Sequence, residues 1–286
     1  MTGSLSTEQT ERFARDGFLA PVDVLNEADA ASMRERLEAI EASAPADLPI
    51  ADFRRTAAHV VFTPVDELVH DARIVDVMES LIGPDILLWD SDLIIKEPNT
   101  PGFISWHQDL RYMGIEPLES FTAWLALSPA TGDMGCMRFL PGSHRRGLLE
   151  HVDTHADTNL LTRGQTVRDG IDETQAVAGP LMAGQMSIHH GLALHASEPN
   201  RSDHRRIGLA MRFLAPSARQ TKGERDYASL VRGSDHEGNF LAMPRPQGDL
   251  MPEAVAAWRK ISDEQSAYYF EGGDATWSGG TGTAGR

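Results

Sequence analysis

A chain of 286 residues, 41% hydrophobic and 24% charged, is long enough for a sizeable core and sits near the upper limit of one domain. Its 26 basic against 42 acidic side chains give a formal charge of −16, which with no dense Lys/Arg run argues against nucleic acid as a partner. No apolar run approaches the roughly 20 residues that span a bilayer, no secretory leader is visible, and the one cysteine, Cys136, cannot form an internal disulfide, so a cytoplasmic location is expected.

Ser6, with Gln9 three residues on, carries a capping-box signature for a first helix that Gly17 stops. Asn26 caps a second, with Met33, Leu37 and Ile40 on one face. A third amphipathic run, from about Asp66 to Ile82, ends at Gly83-Pro84. Beyond Pro84 the pattern turns to strands: Ile86 to Lys96, Phe121 to Ser128, Cys136 to Gly142, Gln185 to Gly191 and Arg206 to Ala215, each bounded by turn residues. Helices followed by strands, with no helix–strand alternation, predict an α+β chain whose mainly β core closes into a sandwich or jelly roll. The polar segment from about Leu148 to Gly179 reads as a lid or binding loop. Residues 1–278 are expected to form one domain and the Gly-rich 279–286 a disordered tail. Met134, Met137, Met182, Met186 and Met211 read as core filling, and Cys136 as a small buried apolar residue.

The stretch SWHQDLRYMG places His107 and Asp109 two apart, on one face of an extended strand, where both can bind one ion. Downstream, His195 ends a strand-like run before the turn-rich SEPNRSD, and Arg206 opens the next strand; a hairpin there would bring His195 near the start of the returning strand. Two histidines and one carboxylate form the facial triad of non-haem Fe(II) oxygenases, which leaves positions open for a chelating 2-oxo acid and O2. Arg206 can offer a planar fork to the distal carboxylate of such a cosubstrate. Only one of the adjacent His189 and His190 can face a site on their strand, and Arg205 should point away from Arg206. His144 reads as structural.

RDGF (Arg15 to Phe18), WHQD, TAWLAL, GCMRFLPGSH (Gly135 to His144), HASEPN and RRIGL occur in family order, and from about residue 12 to 215 the chain resembles the phytanoyl-CoA dioxygenase superfamily of Fe(II)/2-oxoglutarate-dependent oxygenases. The resemblance implies a double-stranded β-helix, a jelly-roll variant, with flanking N-terminal helices. It implies catalysis at an iron held by His107, Asp109 and His195, with 2-oxoglutarate as cosubstrate and O2 as oxidant, releasing succinate and CO2. Arg206 matches the anchor of the distal carboxylate, Ser197 its supporting hydroxyl and Trp124 a neighbour of the cosubstrate, with Lys96 and Gln108 as further matches. Halogenating relatives carry a small residue where Asp109 stands, so hydroxylation is implied.

HQDLRYMGI, LTRGQTV and RDYASLVRG resemble a bacterial branch of organophosphonate hydroxylases that act on aminoethylphosphonate-like compounds, although Arg111 and Met113 depart from its HQDLTYWG pattern. On that reading the substrate is a small polar acid, with Tyr112, Asn159, Arg163, Arg138 and Arg55 as candidate contacts. Another small metabolite, an amino acid or an acyl-CoA are the alternatives within the class. A non-oxygenase metal-binding cupin or a zinc hydrolase are those outside it, and Arg206 with Ser197 argues against both. The partners expected are a small-molecule substrate, no membrane and at most a second copy of the chain in a homodimer.

Overall fold

The computed structural model describes residues 4–223 and 226–269, without the side chains of 267–269. The domain boundary expected at 278 and the tail after it lie outside the described residues. Helix α1 (Thr7–Asp16), strand β1 (Phe18–Asp23), helix α2 (Glu27–Ser43) and the shorter helices α3 (Ile50–Phe53), α4 (Thr63–Val69) and α5 (Ala72–Ile82) lead into the long strand β2 (Ile86–Lys96). Next come β3 (Ile104–His107), the single turn α6 (Leu110–Met113), β4 (Ile115–Glu116), β5 (Phe121–Ala126) and β6 (Met137–Phe139). Strands β7 (His151–Asp153), β8 (Gln165–Val167), β9 (Val177–Gly179), β10 (Gln185–His190), β11 (His195–Ser197) and β12 (Arg206–Leu214) follow. The described chain closes with β13 (Arg219–Gln220), β14 (Asp226–Arg232), β15 (Phe240–Ala242) and helix α7 (Pro252–Tyr269).

Local chemistry sets the helix ends. Ser6 Oγ accepts from the Gln9 N–H, Gln9 Oε1 accepts in turn from the Ser6 N–H, and Gly17, at φ 80°, stops α1. The Asn26 carboxamide caps α2 through the Asp29 N–H at 2.8 Å. The single helix expected over 66–82 is instead two, because the Asp71 carboxylate accepts from Arg73 N–H at 2.9 Å and starts α5 afresh.

A large sheet runs β1-β10-β5-β12-β2-β14-β15, antiparallel except for its β14–β15 edge, and a smaller one runs β3-β11-β6-β9. These two sheets with flanking helices are the jelly-roll arrangement expected. Alternation along β12 shows the layering: Ile207, Leu209, Met211 and Phe213 join the core beneath α2, α4, α5 and α7, while Arg206, Gly208, Ala210 and Arg212 lie on the opposite face. β11 and β12 do not form the expected hairpin. β11 pairs with β3 and β6 in the small sheet, and the chain then crosses to the large one, as a jelly roll requires. The 148–179 segment is not a bare loop either: it contains β7, β8 and β9. Met134, Met137, Met186 and Met211 are buried, whereas Met182, in the turn before β10, is 55% exposed. Cys136 is buried, and His144 packs against α1 with Nε2 3.2 Å from the Ala14 carbonyl. No helix among the described residues is long and apolar enough to cross a membrane.

His59 fills a buried gap between sheet and helices, with its ring nitrogens 2.7 Å from Ser91 Oγ and 3.0 Å from Ser229 Oγ. Burial holds this imidazole neutral down to about 3, and burial likewise lowers His151 and His190 to about 4. The unfolded imidazoles take up protons near pH 6.5, where the folded ones refuse them. Their contribution is therefore complete above pH 6.5 and lost as pH falls through that window, by about 1.4 kcal/mol per pH unit for each group. Urea unfolding between pH 7.5 and 5 should show this slope, and His59→Asn should flatten it by one group's share. An unchanged slope in the variant would contradict the assignment.

Candidate active site

β3 and β11 are antiparallel with His107 opposite His195, which sets their ring centroids 4.1 Å apart. The strand ends at His107. Asp109 already has helical dihedrals (φ −57°, ψ −44°) and opens α6, so a turn rather than the pleat brings its carboxylate back to the histidines. Asp109 Oδ1 lies 3.4 Å from His107 Nε2 and 3.7 Å from His195 Nε2. Gln108 locks the turn: its amide donates to the Gly147 and Leu192 carbonyls, both at 2.8 Å, and accepts from Leu149 N–H at 2.7 Å. Its own N–H donates to His151 Nε2 at 3.0 Å. Gln108 thus supports the triad from behind and does not border the cavity where the cosubstrate was expected.

His107 Nδ1 is 2.9 Å from the Ser105 carbonyl and His195 Nδ1 is 3.0 Å from that of Ala193. A carbonyl only accepts, so each Nδ1 carries the hydrogen and each Nε2 keeps its lone pair for a cation. Burial, with His107 and His189 nearby, holds His195 neutral. Asp109 Oδ2 is taken up elsewhere: Thr122 donates to it at 2.7 Å, His189 Nε2 is 3.2 Å away and Arg212 Nε 3.9 Å. Burial pushes the Asp109 carboxyl up, but His195, His107, His189 and Arg212 outweigh it and hold the group well below the usual range. Two imidazole nitrogens and one carboxylate oxygen, all within 4.8 Å of one another, fit a divalent iron bound on one face.

Across the cavity Arg206 is 1% exposed. Its Nη1 donates to the Gly135 carbonyl at 2.6 Å and its guanidinium lies 5.0 Å from the centre of the Trp124 ring. Its Nε has no hydrogen-bond partner, and no carboxylate pairs with it among the described residues. Burial accordingly pulls it down to about 10. A buried guanidinium without an acid is costly unless an anion arrives to pair with it, and the distal carboxylate of 2-oxoglutarate fits that need. Ser197 and Trp124 border the same space. Lys96 stands behind Ser197, donating to its Oγ at 2.7 Å and to the Glu198 carbonyl, and burial followed by Arg206 pulls its amine down to about 6.

Trp124 can lie where it does because residue 208 is glycine: a Cβ there would come 1.8 Å from the ring's Cζ2. Gly208→Ala should displace the ring at a cost of about 1–3 kcal/mol. It should also weaken 2-oxoglutarate binding at Arg206 more than metal binding at the triad, which separate titrations of the two would read.

The cavity measures about 380 Å³ and is lined by Arg206, the triad, the α7 residues Ser262, Gln265 and Ser266, and Arg55, Leu160 and Thr162, the last three of them exposed at its mouth. Of the five candidate substrate contacts only Arg55 borders it, with Nη2 donating to Thr162 Oγ1 at 3.3 Å. The other four face elsewhere. Arg163 pairs with Asp153 at 2.5 Å and covers the Tyr112 ring, whose hydroxyl donates to Asp153 at 2.9 Å. Asn159 donates to Ser105 Oγ at 2.8 Å, and Arg138 reaches Glu173 at 3.1 Å and Glu198 at 3.2 Å.

Several cavity residues were not anticipated. His189 faces the triad while His190 turns outward to Phe121 and His144. Asp90 and Asp92 on β2 face Arg212 on β12, which donates to Asp92 Oδ1 and lies 3.4 Å from Asp90 Oδ2. Burial raises both carboxyls against the pull of Arg212, Asp92 to about 6. Strand parity could have found this set, since Arg206 and Arg212 differ by an even step, as do Trp124 and Thr122, and Lys96, Asp92 and Asp90.

The family pattern described as phytanoyl-CoA dioxygenase (PhyH) matches residues 13–208. A probable alpha-ketoglutarate-dependent hypophosphite dioxygenase of Stutzerimonas stutzeri is 30% identical over 180 residues, 60% of this chain and 62% of its own. Phytanoyl-CoA dioxygenase domain-containing protein 1 of Mus musculus is 31% identical over 157 residues, 51% of each chain. The chain thus spans from 51% to 62% of the length of these curated relatives. Among solved structures, the apo form of the non-heme monooxygenase ThoJ superposes with a TM-score of 0.79 at 33% identity, over 91% of this chain and 96% of that one. CytC3 with Fe(II) and alpha-ketoglutarate shares the fold, with a TM-score of 0.64 at 23% identity over 88% of this chain and 98% of that one.

Proposed function

The chain belongs to the phytanoyl-CoA dioxygenase family of Fe(II)/2-oxoglutarate-dependent oxygenases, and from that premise we propose that it hydroxylates a C–H bond of a small polar metabolite, an aminoethylphosphonate-like compound being the first to test. The observation that carries the reading is the buried Arg206, without an acidic partner among the described residues, across one cavity from the His107–Asp109–His195 triad.

Bound iron and 2-oxoglutarate would together supply the oxidative decarboxylation that activates O2 and yields succinate and CO2. The chain's own residues do the rest. Nε2 of His107 and His195 and Oδ1 of Asp109 hold the metal, while Thr122 and His189 occupy Oδ2 and keep the carboxylate in one orientation. Arg206 pairs with the distal carboxylate of the cosubstrate, and Lys96 holds Ser197 in place beside it. Leu160, Leu161 and Thr162 on one side and α7 on the other wall the cavity against bulk water.

A cavity of about 380 Å³ lies at the low end for ligand pockets and has to take cosubstrate and target together, which favours a small target over an acyl-CoA. The name of the Stutzerimonas stutzeri relative, for an oxyanion of phosphorus, supports a phosphorus compound. Arg55 at the mouth, with no carboxylate partner among the described residues, is the anion contact in that reading. Anaerobic protein given Fe(II) and 2-oxoglutarate should develop the visible charge-transfer band of chelated cosubstrate, and phosphonates should stimulate succinate release in air. Metal-loaded, folded protein without the band would overturn the oxygenase assignment.

A further inference from the structure

Asp109 reaches the cavity from the turn after β3, and a single row of side chains on the large sheet receives it. His189 on β10 stands opposite Thr122 on β5, Thr122 opposite Arg212 on β12, and Arg212 opposite Asp90 on β2. Directly opposed residues share a face of a sheet, and all four border the cavity. Thr122 donates to Asp109 Oδ2 at 2.7 Å, and His189 Nε2 is 3.2 Å from the same oxygen. His189 Nδ1 has no hydrogen-bond partner, so its hydrogen belongs on Nε2, where the carboxylate accepts it. Arg212 Nε, at 3.9 Å, is too far for a hydrogen bond and close enough to act through its charge.

The end of the row pulls the other way. Asp90 is fixed by the Ala57 N–H at 2.7 Å and the Thr56 hydroxyl at 3.1 Å, and lies 3.4 Å from Arg212 Nη1. Asp92, two residues along the same strand, accepts from that nitrogen. Arg54 and Arg55 also border the cavity, but Arg54 donates to Glu41 at 2.7 Å and Arg55 to Thr162 at 3.3 Å. Among the described residues, Arg212 is thus the one arginine or lysine that pairs with Asp90, Asp92 or Asp109.

We propose that Arg212 is a positioning residue of the metal centre: its charge, divided between Asp109 and the Asp90–Asp92 pair, sets how strongly Asp109 Oδ1 donates to the iron. Thr122 and His189 fix the direction of the carboxylate. Positive charge beside Oδ2 draws electron density from it and favours Fe(II) over Fe(III), while Asp90 and Asp92 hold Arg212 back. The proposal rests on the oxygenase reading above and concerns the tuning of its metal.

The test is a redox titration of iron-loaded protein without cosubstrate, followed by the position of the charge-transfer band once 2-oxoglutarate is added anaerobically. Arg212→Met should shift the Fe(III)/Fe(II) equilibrium about tenfold towards Fe(III), the lower end of what an outer partner of a metal ligand is worth. That is a fall of about 60 mV in potential, and the band should move to lower energy. Asp92→Asn, which frees Arg212 to lean on Asp109, should move both readings the opposite way. Arg212→Lys keeps the charge and should stay near the parent. In the double variant Arg212→Met, Asp92→Asn, the second change should add nothing to the first, since Asp92 acts through Arg212. Loss of a merely structural contact would not give opposite signs. Should Arg212→Met fail to fold with two carboxylates left unpaired, the double variant and Asp92→Asn still have to diverge. If the parent forms the band but the two single variants leave the potential unmoved or shift it together, the role of Arg212 is wrong and the oxygenase stands. An Asp92→Asn shift that persists without Arg212 would also overturn it. If the iron-loaded parent forms no band, the oxygenase reading is the one that falls.

Discussion

Arg206→Met is expected to leave a folded protein, about as stable as the parent in the absence of ligands, that scarcely binds 2-oxoglutarate. Two opposing effects set the stability. The substitution removes a buried guanidinium with no acidic partner among the described residues, a group whose replacement by an apolar side chain of similar size is often neutral or stabilising. It also deprives the Gly135 carbonyl of its donor, at a cost of about 1–3 kcal/mol. The two are of similar size, so the melting temperature should move little. Binding has no such compensation: truncating one partner of a buried charge pair costs about 2–5 kcal/mol, or roughly 30- to several-thousand-fold in affinity. Titrating 2-oxoglutarate into the Fe(II)-loaded variant, anaerobically and by calorimetry, measures this directly. Wild-type affinity would rule Arg206 out as the anchor. Arg206→Lys should fall between, since an ammonium keeps the charge but not the planar fork.

His195→Ala is expected to abolish stable iron binding. Outer partners of metal ligands are typically worth about 10–100-fold in affinity, so losing a ligand itself should exceed that, on the order of a thousandfold. Thr122→Val calibrates the comparison, because it removes only the 2.7 Å bond to Asp109 Oδ2 and should fall within the smaller range. His190→Ala is the control, as its ring faces Phe121 and His144 on the far side of β10. Metal content after chelator challenge separates the three. Retention of iron by the His195 variant would mean that His189, with its ring centroid 4.2 Å from that of His195, ligates the metal in its place.

Strands β2, β5, β6, β10 and β12 and the triad could be read from local signals. Turn residues bounded the strands, and His107, Asp109 and His195 sat in recognisable phrases. What escaped depended on chain reversal. Nothing in HASEPNRSD says that β11 and β12 belong to different sheets, because the apolar patterning of a hairpin and of a crossover is the same over so short a span. The helix expected over 66–82 divides at Asp71, whose capping role was outweighed by the continuous apolar periodicity around it. Arg163 and Arg138 are candidate anion contacts only on the branch resemblance, which implies an acidic substrate. Which arginine meets an acid of its own chain, as these do with Asp153, Glu173 and Glu198, depends on loops whose paths no periodicity specifies. Asp90, Asp92 and Arg212, by contrast, were within reach of the alternation rule once Arg206 and Lys96 had been assigned a face.

The oxidising apparatus and the walls around the target come from different stretches of chain. The proposed metal ligands and cosubstrate anchor lie between residues 107 and 206, within the family match at 13–208. The cavity lining is completed by Arg55 before them and by Ser262, Gln265 and Ser266 after them, on a helix tied down by Gln265 to Asp226 and by Trp258 to the Thr56 carbonyl. Selection can therefore redraft what the enzyme accepts by rewriting a helix that carries none of the redox machinery. Kin sharing the same iron chemistry would then diverge first in their C-terminal helices.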